Sequence, residues 1–151
     1  MIRPATRDDL SALSAWAADF YEYAKLADLK LTFDPAGFER YVSGLLDAPY
    51  VCVLLAEAKG RVVGSIAGVL APWFLDPSRA IVSELWWWID PAYRGGEAGA
   101  ALLDAFEDWG RSRGASYNCM LALKGYRDDV LARFYGRRGY LEVERHFLKE
   151  L

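Results

Sequence analysis

The residues best placed to do chemistry lie in one short run, Arg94-Gly95-Gly96-Glu97-Ala98-Gly99-Ala100. An apolar stretch, Ile81 to Ile89, precedes it, then Asp90-Pro91-Ala92-Tyr93; an amphipathic stretch follows. Glycines let a ligand come close to the backbone, and the first N–H groups of a helix have no partner within it. A turn of this kind at a helix start suits a negatively charged, phosphorylated ligand. Arg94 adds a positive charge at its mouth.

The elements that must position this turn follow from periodicity. Ile2 to Ala5 reads as a short strand. Thr6 with Asp9 three residues on is a capping-box-like helix start, and Leu10, Leu13, Ala17, Phe20 and Ala24 recur at helical spacing. A second helix is predicted over Pro35 to Leu46. Val51 to Glu57 and Val62 to Leu70 read as strands joined at Lys59-Gly60. Ala71 to Ser78, with two prolines, reads as a loop, and Ile81 to Ile89 as the third long strand. After the glycine turn a helix buries Leu102, Ala105, Phe106 and Trp109 and stops at Gly114. Tyr117 to Leu123 is a further strand and Asp128 to Arg137 a helix ended by Gly139. Tyr140 to Leu148 supplies the last strands.

Composition narrows the class. With 151 residues, 54% of them hydrophobic, the chain suits a single domain over 1–151 with a real core. The 18 basic and 21 acidic residues leave a net charge of −3, which argues against a nucleic-acid partner. Cys52 and Cys119 have no metal or redox spacing and suit a reducing cytoplasm, with a single disulfide as the alternative. No apolar run approaches a membrane span, and no signal-peptide pattern opens the chain.

Strand, Asp-Pro, Arg-glycine turn and helix together resemble the acetyl-CoA pyrophosphate loop of the GNAT superfamily of N-acetyltransferases, Arg/Gln-x-x-Gly-x-Gly/Ala. A second motif, Arg133-Phe134-Tyr135-Gly136-Arg137-Arg138-Gly139-Tyr140, is similar to that family's C-terminal aromatic-Tyr…Gly-Phe. The resemblance covers nearly the whole chain. It implies an α/β (α+β) fold with a mixed, mostly antiparallel central sheet flanked by helices. It also implies acetyl-CoA as cosubstrate, held by Arg94, Gly95, Gly96, Glu97, Ala98, Gly99 and Ala100 at the pyrophosphate. The backbone of Trp88, Ile89 and Asp90 would meet the pantetheine arm, and Asp128 would start the next helix as its N-cap. Tyr135 would lie near the sulfur and assist the leaving thiolate. Glu97 departs from the pattern, standing where a glycine is expected. Its side chain points outward, or Gly95-Gly96 reshape the turn, or CoA binding is weak.

The family's reaction also needs a base, because a protonated amine has no lone pair. Glu84 is the one ionisable side chain between Ile81 and Ile89. Plain alternation puts it on a face with Trp86 and Trp88, where burial would raise its pKa. Counted back from Arg94, however, the family's usual base is in phase with Ser83 and Leu85, and a β-bulge would be needed to bring Glu84 into line. A structurally paired glutamate is the alternative reading.

Other residues have blander readings. His146 is the single histidine and has no ligand partner at metal spacing. Cys119 lacks a nearby histidine that would make it an acyl carrier. Tyr21-Glu22-Tyr23 ends the first helix, where the family often builds its acceptor wall. Trp73 and Phe74 mark a candidate self-contact, hence a homodimer. The expected function is acetyl transfer to a small-molecule or peptide amine by direct attack in a ternary complex. The alternatives are a CoA-binding sensor or assembly subunit, and an acyltransferase for longer acyl groups.

Overall fold

The computed structural model describes residues 1–150. Five strands form one sheet in the order β1-β2-β3-β4-β5: β1 (Ile2–Pro4), β2 (Val51–Ala58), β3 (Arg61–Trp73), β4 (Asp76–Ile89) and β5 (Ala115–Cys119). The first four are antiparallel neighbours, and β5 runs parallel to β4. Four α-helices accompany them: α1 (Leu10–Tyr23), α2 (Pro35–Leu46), α3 (Glu97–Ser112) and α4 (Asp128–Arg137). This is the mixed, mostly antiparallel sheet flanked by helices that the sequence leads one to expect.

Strand alternation divides the core in two. Cys52, Leu54 and Ala56 of β2 face α3 and join Leu102, Leu103, Phe106 and Tyr135. Leu55 faces the other way, into Leu13, Trp16 and Ala17 of α1, Val42 of α2 and Trp88. The α3 side packs tightly at Gly68, where an added Cβ would lie 2.3 Å from the Phe106 ring and 2.7 Å from the Ser83 carbonyl. Only glycine lets β3 and β4 sit there under that ring.

At the N-terminus the expected Thr6–Asp9 cap is present. Asp9 accepts from the Thr6 N–H at 2.8 Å and takes a two-pronged ion pair from Arg3, at 2.8 and 2.7 Å. Arg3 also reaches Glu57 on β2, so one guanidinium ties β1, the start of α1 and β2 together.

Three expected elements differ. The Ala71–Ser78 loop is a hairpin: β3 and β4 extend through the prolines to a tight turn at Phe74-Leu75. The register slips between Pro72 and Trp73, an irregularity of the kind that accommodates residues without an N–H. β5 starts and ends earlier than expected, at Ala115–Cys119. Tyr140 to Leu148 forms no strand, despite its alternating Leu141-Glu142-Val143-Glu144. Tyr140 is instead tied into α3, donating to Glu107 at 2.9 Å and accepting from Asn118 at 2.7 Å. A strand needs backbone hydrogen bonds to a neighbour, and the described residues after Tyr140 make none. Both cysteines are free. Among the described residues no helix is long and apolar enough to cross a membrane, and no cluster of three metal-ligand side chains occurs.

Candidate active site

The site follows from how β4 and β5 meet. β5 pairs with β4 only from Ala80 to Ser83, opposite Ala115 to Cys119. Beyond Ser83 the rest of β4, Glu84 to Ile89, stays paired with β3 and has no strand partner on its other edge among the described residues. The Asp90 N–H donates to the Val63 carbonyl at 2.9 Å. Alternation along an antiparallel ladder then turns Trp88 toward β3 and leaves the backbone groups of Trp87 and Ile89 aimed at the free edge. Of the expected pantetheine trio Trp88, Ile89 and Asp90, only Ile89 presents its backbone to this gap; Trp87 is the other residue that does. The Trp88 indole is buried in the α1 core.

A bulge at Leu85 decides where Glu84 goes. Trp86 pairs with Ala67 and Glu84 with Gly68, so Leu85 is the extra residue. Directly opposed residues share a face, and Gly68 lies beneath Phe106 of α3. Glu84 is therefore on the α3 face. Trp86 and Trp88 are on the α1 face, where the Trp86 indole N–H donates to Ser65 Oγ at 3.0 Å. Plain alternation, which groups Glu84 with Trp86 and Trp88, fails here because the bulge inverts the pleat. The same bulge brings Glu84 to the side of Tyr135.

Glu84 accepts the Leu121 N–H at 2.9 Å, and the Tyr135 hydroxyl donates to the Leu121 carbonyl at 3.0 Å. Burial raises the Glu84 pKa to about 7, partly offset by the Leu121 N–H, which favours the carboxylate. Tyr135 is buried and its pKa is pushed well above the ordinary phenol value, first by burial and then by the charges of Glu84 and Tyr140. Its ring packs against Trp87 at 5.9 Å between centroids. A carboxyl group that titrates near neutrality thus stands beside a phenol that stays protonated.

At the far end of the gap, Gly95 adopts φ +78°, and Gly96 caps α3 without a side-chain hydrogen bond. The N–H groups of Gly96, Glu97, Ala98 and Gly99 open the helix, where no turn precedes them to accept their bonds. The Glu97 side chain is exposed. Gly99 lies against Trp87 and Ile89, with an added Cβ at 3.5 and 3.6 Å from them. The Trp87 indole N–H is buried without a partner among the described residues. Uncapped helix N–H groups, an unpaired indole donor and a free strand edge lie along one path, a donor set that fits an extended ligand with a diphosphate at one end.

Two expected residues sit elsewhere. The N-cap of α4 is Arg127, in the left-handed region at φ 60°; Asp128 is the first helical residue and makes no capping bond. The Arg94 guanidinium turns to the α1 face. Its Cζ lies 4.3 Å from the Tyr23 ring centroid and 4.5 Å from that of Trp88, and its Nε donates to the Ile89 carbonyl at 2.9 Å. Sequence reasoning missed Trp87 and Leu121: the first acts through an indole N–H and its backbone, the second through backbone alone, which no side-chain motif records.

His146 is exposed beside Glu144. The Cys119 thiol is pushed up by burial, then by Glu144 and Glu84, the wrong direction for a nucleophile. A cavity of about 530 Å³ opens on the α1 face beside Trp16, Asp19 and Arg61; neither Glu84 nor Tyr135 lines it.

A family model described as acetyltransferase (GNAT) family matches residues 10–140. Among curated proteins none matches the sequence. Similar solved structures include a transcriptional regulator from Bacillus halodurans C-125, 19% identical with a TM-score of 0.83, covering 100% of this chain and 99% of that one. Another is an aminoglycoside acetyltransferase from an uncultured soil metagenomic sample in complex with sisomicin, 14% identical, TM-score 0.77, covering 100% and 95%. A third is a predicted acetyltransferase with acetyl-CoA from Clostridium acetobutylicum, 17% identical, TM-score 0.71, covering 99% and 95%.

Proposed function

The chain belongs to the acetyltransferase (GNAT) family, and on that premise we propose that it moves an acetyl group from acetyl-CoA to an amine by direct attack in a ternary complex. Acetyl-CoA supplies, when bound, an acyl carbon activated as a thioester. The N–H groups of Gly96 to Gly99 hold its diphosphate, with Gly95 and Gly96 keeping the turn clear of side chains. The free backbone of Trp87 and the N–H of Ile89, whose carbonyl already accepts from Arg94 Nε, align the pantetheine amides as a strand would. Glu84 takes the proton of the incoming ammonium, directly or through water. With a pKa of about 7 it is largely ionised just above neutrality and still basic enough to accept.

The carbon–nitrogen bond forms as the carbon–sulfur bond breaks, and the departing sulfur gains negative charge. Tyr135 meets that charge. Its raised pKa makes complete proton transfer to sulfur uphill, so its contribution is a hydrogen bond donated as charge develops. The hydroxyl must leave the Leu121 carbonyl to do so.

One observation supports this reading above the others: the Leu85 bulge sets Glu84 and Tyr135 on the same face of an unpaired strand edge. The test is calorimetric binding of acetyl-CoA, followed by thioester consumption with a panel of alkylamines, aminoglycosides and peptides. Binding and amine-dependent release of CoA are expected. Binding without turnover of any amine would favour a sensor, and no binding would refute the assignment.

A further inference from the structure

Arg94 stands where a pyrophosphate ligand is expected, yet its side chain is committed elsewhere. Its guanidinium lies over both Tyr23 and Trp88, whose ring centroids are 5.7 Å apart, so the three groups close a compact triangle. Its Nε–H is spent on the Ile89 carbonyl. Trp88 belongs to the α1 side of the sheet, whereas α3, with its free N–H groups, packs on the opposite side. Cation–π contact at these distances is an attractive arrangement that fixes a flexible side chain in one place.

What that place joins gives the arrangement a purpose. Tyr23 is the last residue of α1, and it also meets Tyr126, in the connection from β5 to α4, at 6.1 Å between centroids. Three segments that border the gap thus converge: the end of α1, the β4–α3 turn and the β5–α4 connection. The chain leaving α1 is under backbone strain. Lys25 and Lys30 both adopt left-handed φ, at 49° and 58°, around a short turn from Leu26 to Leu29. Side chains other than glycine resist that region. Leu29 and Leu31 are exposed, so burial supplies little anchorage. The Tyr21 hydroxyl holds the Leu31 carbonyl at 2.9 Å, and the exposed Lys30 pairs with Glu150.

We propose that Arg94 is a positioning residue that latches the end of α1, through Tyr23 and Trp88, to the turn opening α3, and so holds the α1 side of the gap in place. Its bearing on the amine rests on the proposed acetyl transfer; the latch itself does not.

The experiment compares Arg94→Ala, Arg94→Lys, Tyr23→Ala, Tyr23→Phe and the Tyr23→Ala/Arg94→Ala double variant. Amide hydrogen exchange over Ala24 to Leu31 is read alongside the calorimetric Kd for CoA. Arg94→Ala is expected to speed exchange there tenfold or more, with exchange in β2 and β3 unchanged and the Kd within threefold. Tyr23→Ala should also speed it, and the double variant should fall clearly short of the sum of the two single effects, because the Arg94–Tyr23 contact is common to both. Tyr23→Phe should behave as the parent, and Arg94→Lys should fall between. Once an accepted amine is known, Arg94→Ala should raise its KM at least fivefold and leave the KM for acetyl-CoA within threefold. Unchanged exchange in Arg94→Ala overturns the latch. So does a tenfold loss of CoA affinity in Arg94→Ala that Tyr23→Ala does not share, which would make Arg94 a diphosphate ligand. If no amine is acetylated, the acyl-transfer reading fails while the exchange measurement still decides the latch.

Discussion

Glu84 and Tyr135 hold the two backbone groups of a single residue: the carboxylate accepts the Leu121 N–H at 2.9 Å and the phenol donates to the Leu121 carbonyl at 3.0 Å. The pair is thereby fixed in mutual orientation by a peptide segment that follows β5. Tyr135 remains a donor first because burial disfavours the phenolate and then because its neighbour carries negative charge when ionised, and Glu84 remains a weak acid because burial disfavours its carboxylate.

The first prediction concerns pH. If Glu84 accepts the amine proton, kcat/KM at constant amine should rise through about pH 7, the value burial gives this carboxyl. Glu84→Gln should remove that limb and lower turnover by roughly 10²- to 10⁴-fold. A limb that persists in the variant would assign the proton to another acceptor.

The same group makes a stability prediction of opposite sense to most carboxylates. Its pKa is raised on folding, from 4.5 to about 7, so between those values the folded state binds the proton that the unfolded state has lost. Stability therefore falls as pH rises through this window. Glu84→Gln should be more stable than the parent by about 1–3 kcal/mol at pH 8 and no more stable at pH 4. Urea titrations at the two pH values test this; equal differences at both would contradict it.

For Tyr135→Phe, turnover should fall about ten- to a thousandfold while CoA affinity stays within threefold, as expected for a bond made mainly in the transition state. Losing the hydroxyl also strips the Leu121 carbonyl of its donor, at roughly 1 kcal/mol of stability. Undiminished turnover would remove Tyr135 from the reaction.

Asp9 should behave as an ordinary paired carboxylate. Its side chain is buried, and the Arg3 guanidinium holds its pKa well below the usual range, aided by Thr6. The stability this contributes is present above the unfolded value of 3.8 and is lost as pH falls below it. Asp9→Asn should cost about 1–3 kcal/mol at pH 7 and progressively less below pH 4. A cost independent of pH would mean that the cap to Thr6, not the charge, carries it.

Glu97 is exposed on the first turn of α3, so Glu97→Gly should leave the calorimetric Kd for CoA nearly unchanged or slightly improved. A tenfold loss would show that the carboxylate shapes the turn.

By itself the sequence determined most of the elements and the family. Residues 35–46 and 128–137 read as helices from periodicity and terminators, because both depend on neighbours three and four residues apart. The glycine turn at Gly95-Gly96 is equally local, since positive φ and an uncapped helix start are properties of the residues there. Tertiary structure alone decided the face of Glu84, because a bulge at Leu85 depends on how β3 and β4 settle around Gly68 and Phe106. It also decided that Arg94 turns to Tyr23, a partner 71 positions distant in the chain. Leu121 enters the site through its amide and carbonyl, which every residue possesses, so no side-chain pattern could mark it. Tyr140 to Leu148 alternates like a strand and forms none, since alternation states which face could be buried but not whether a neighbouring backbone will be there to pair with it.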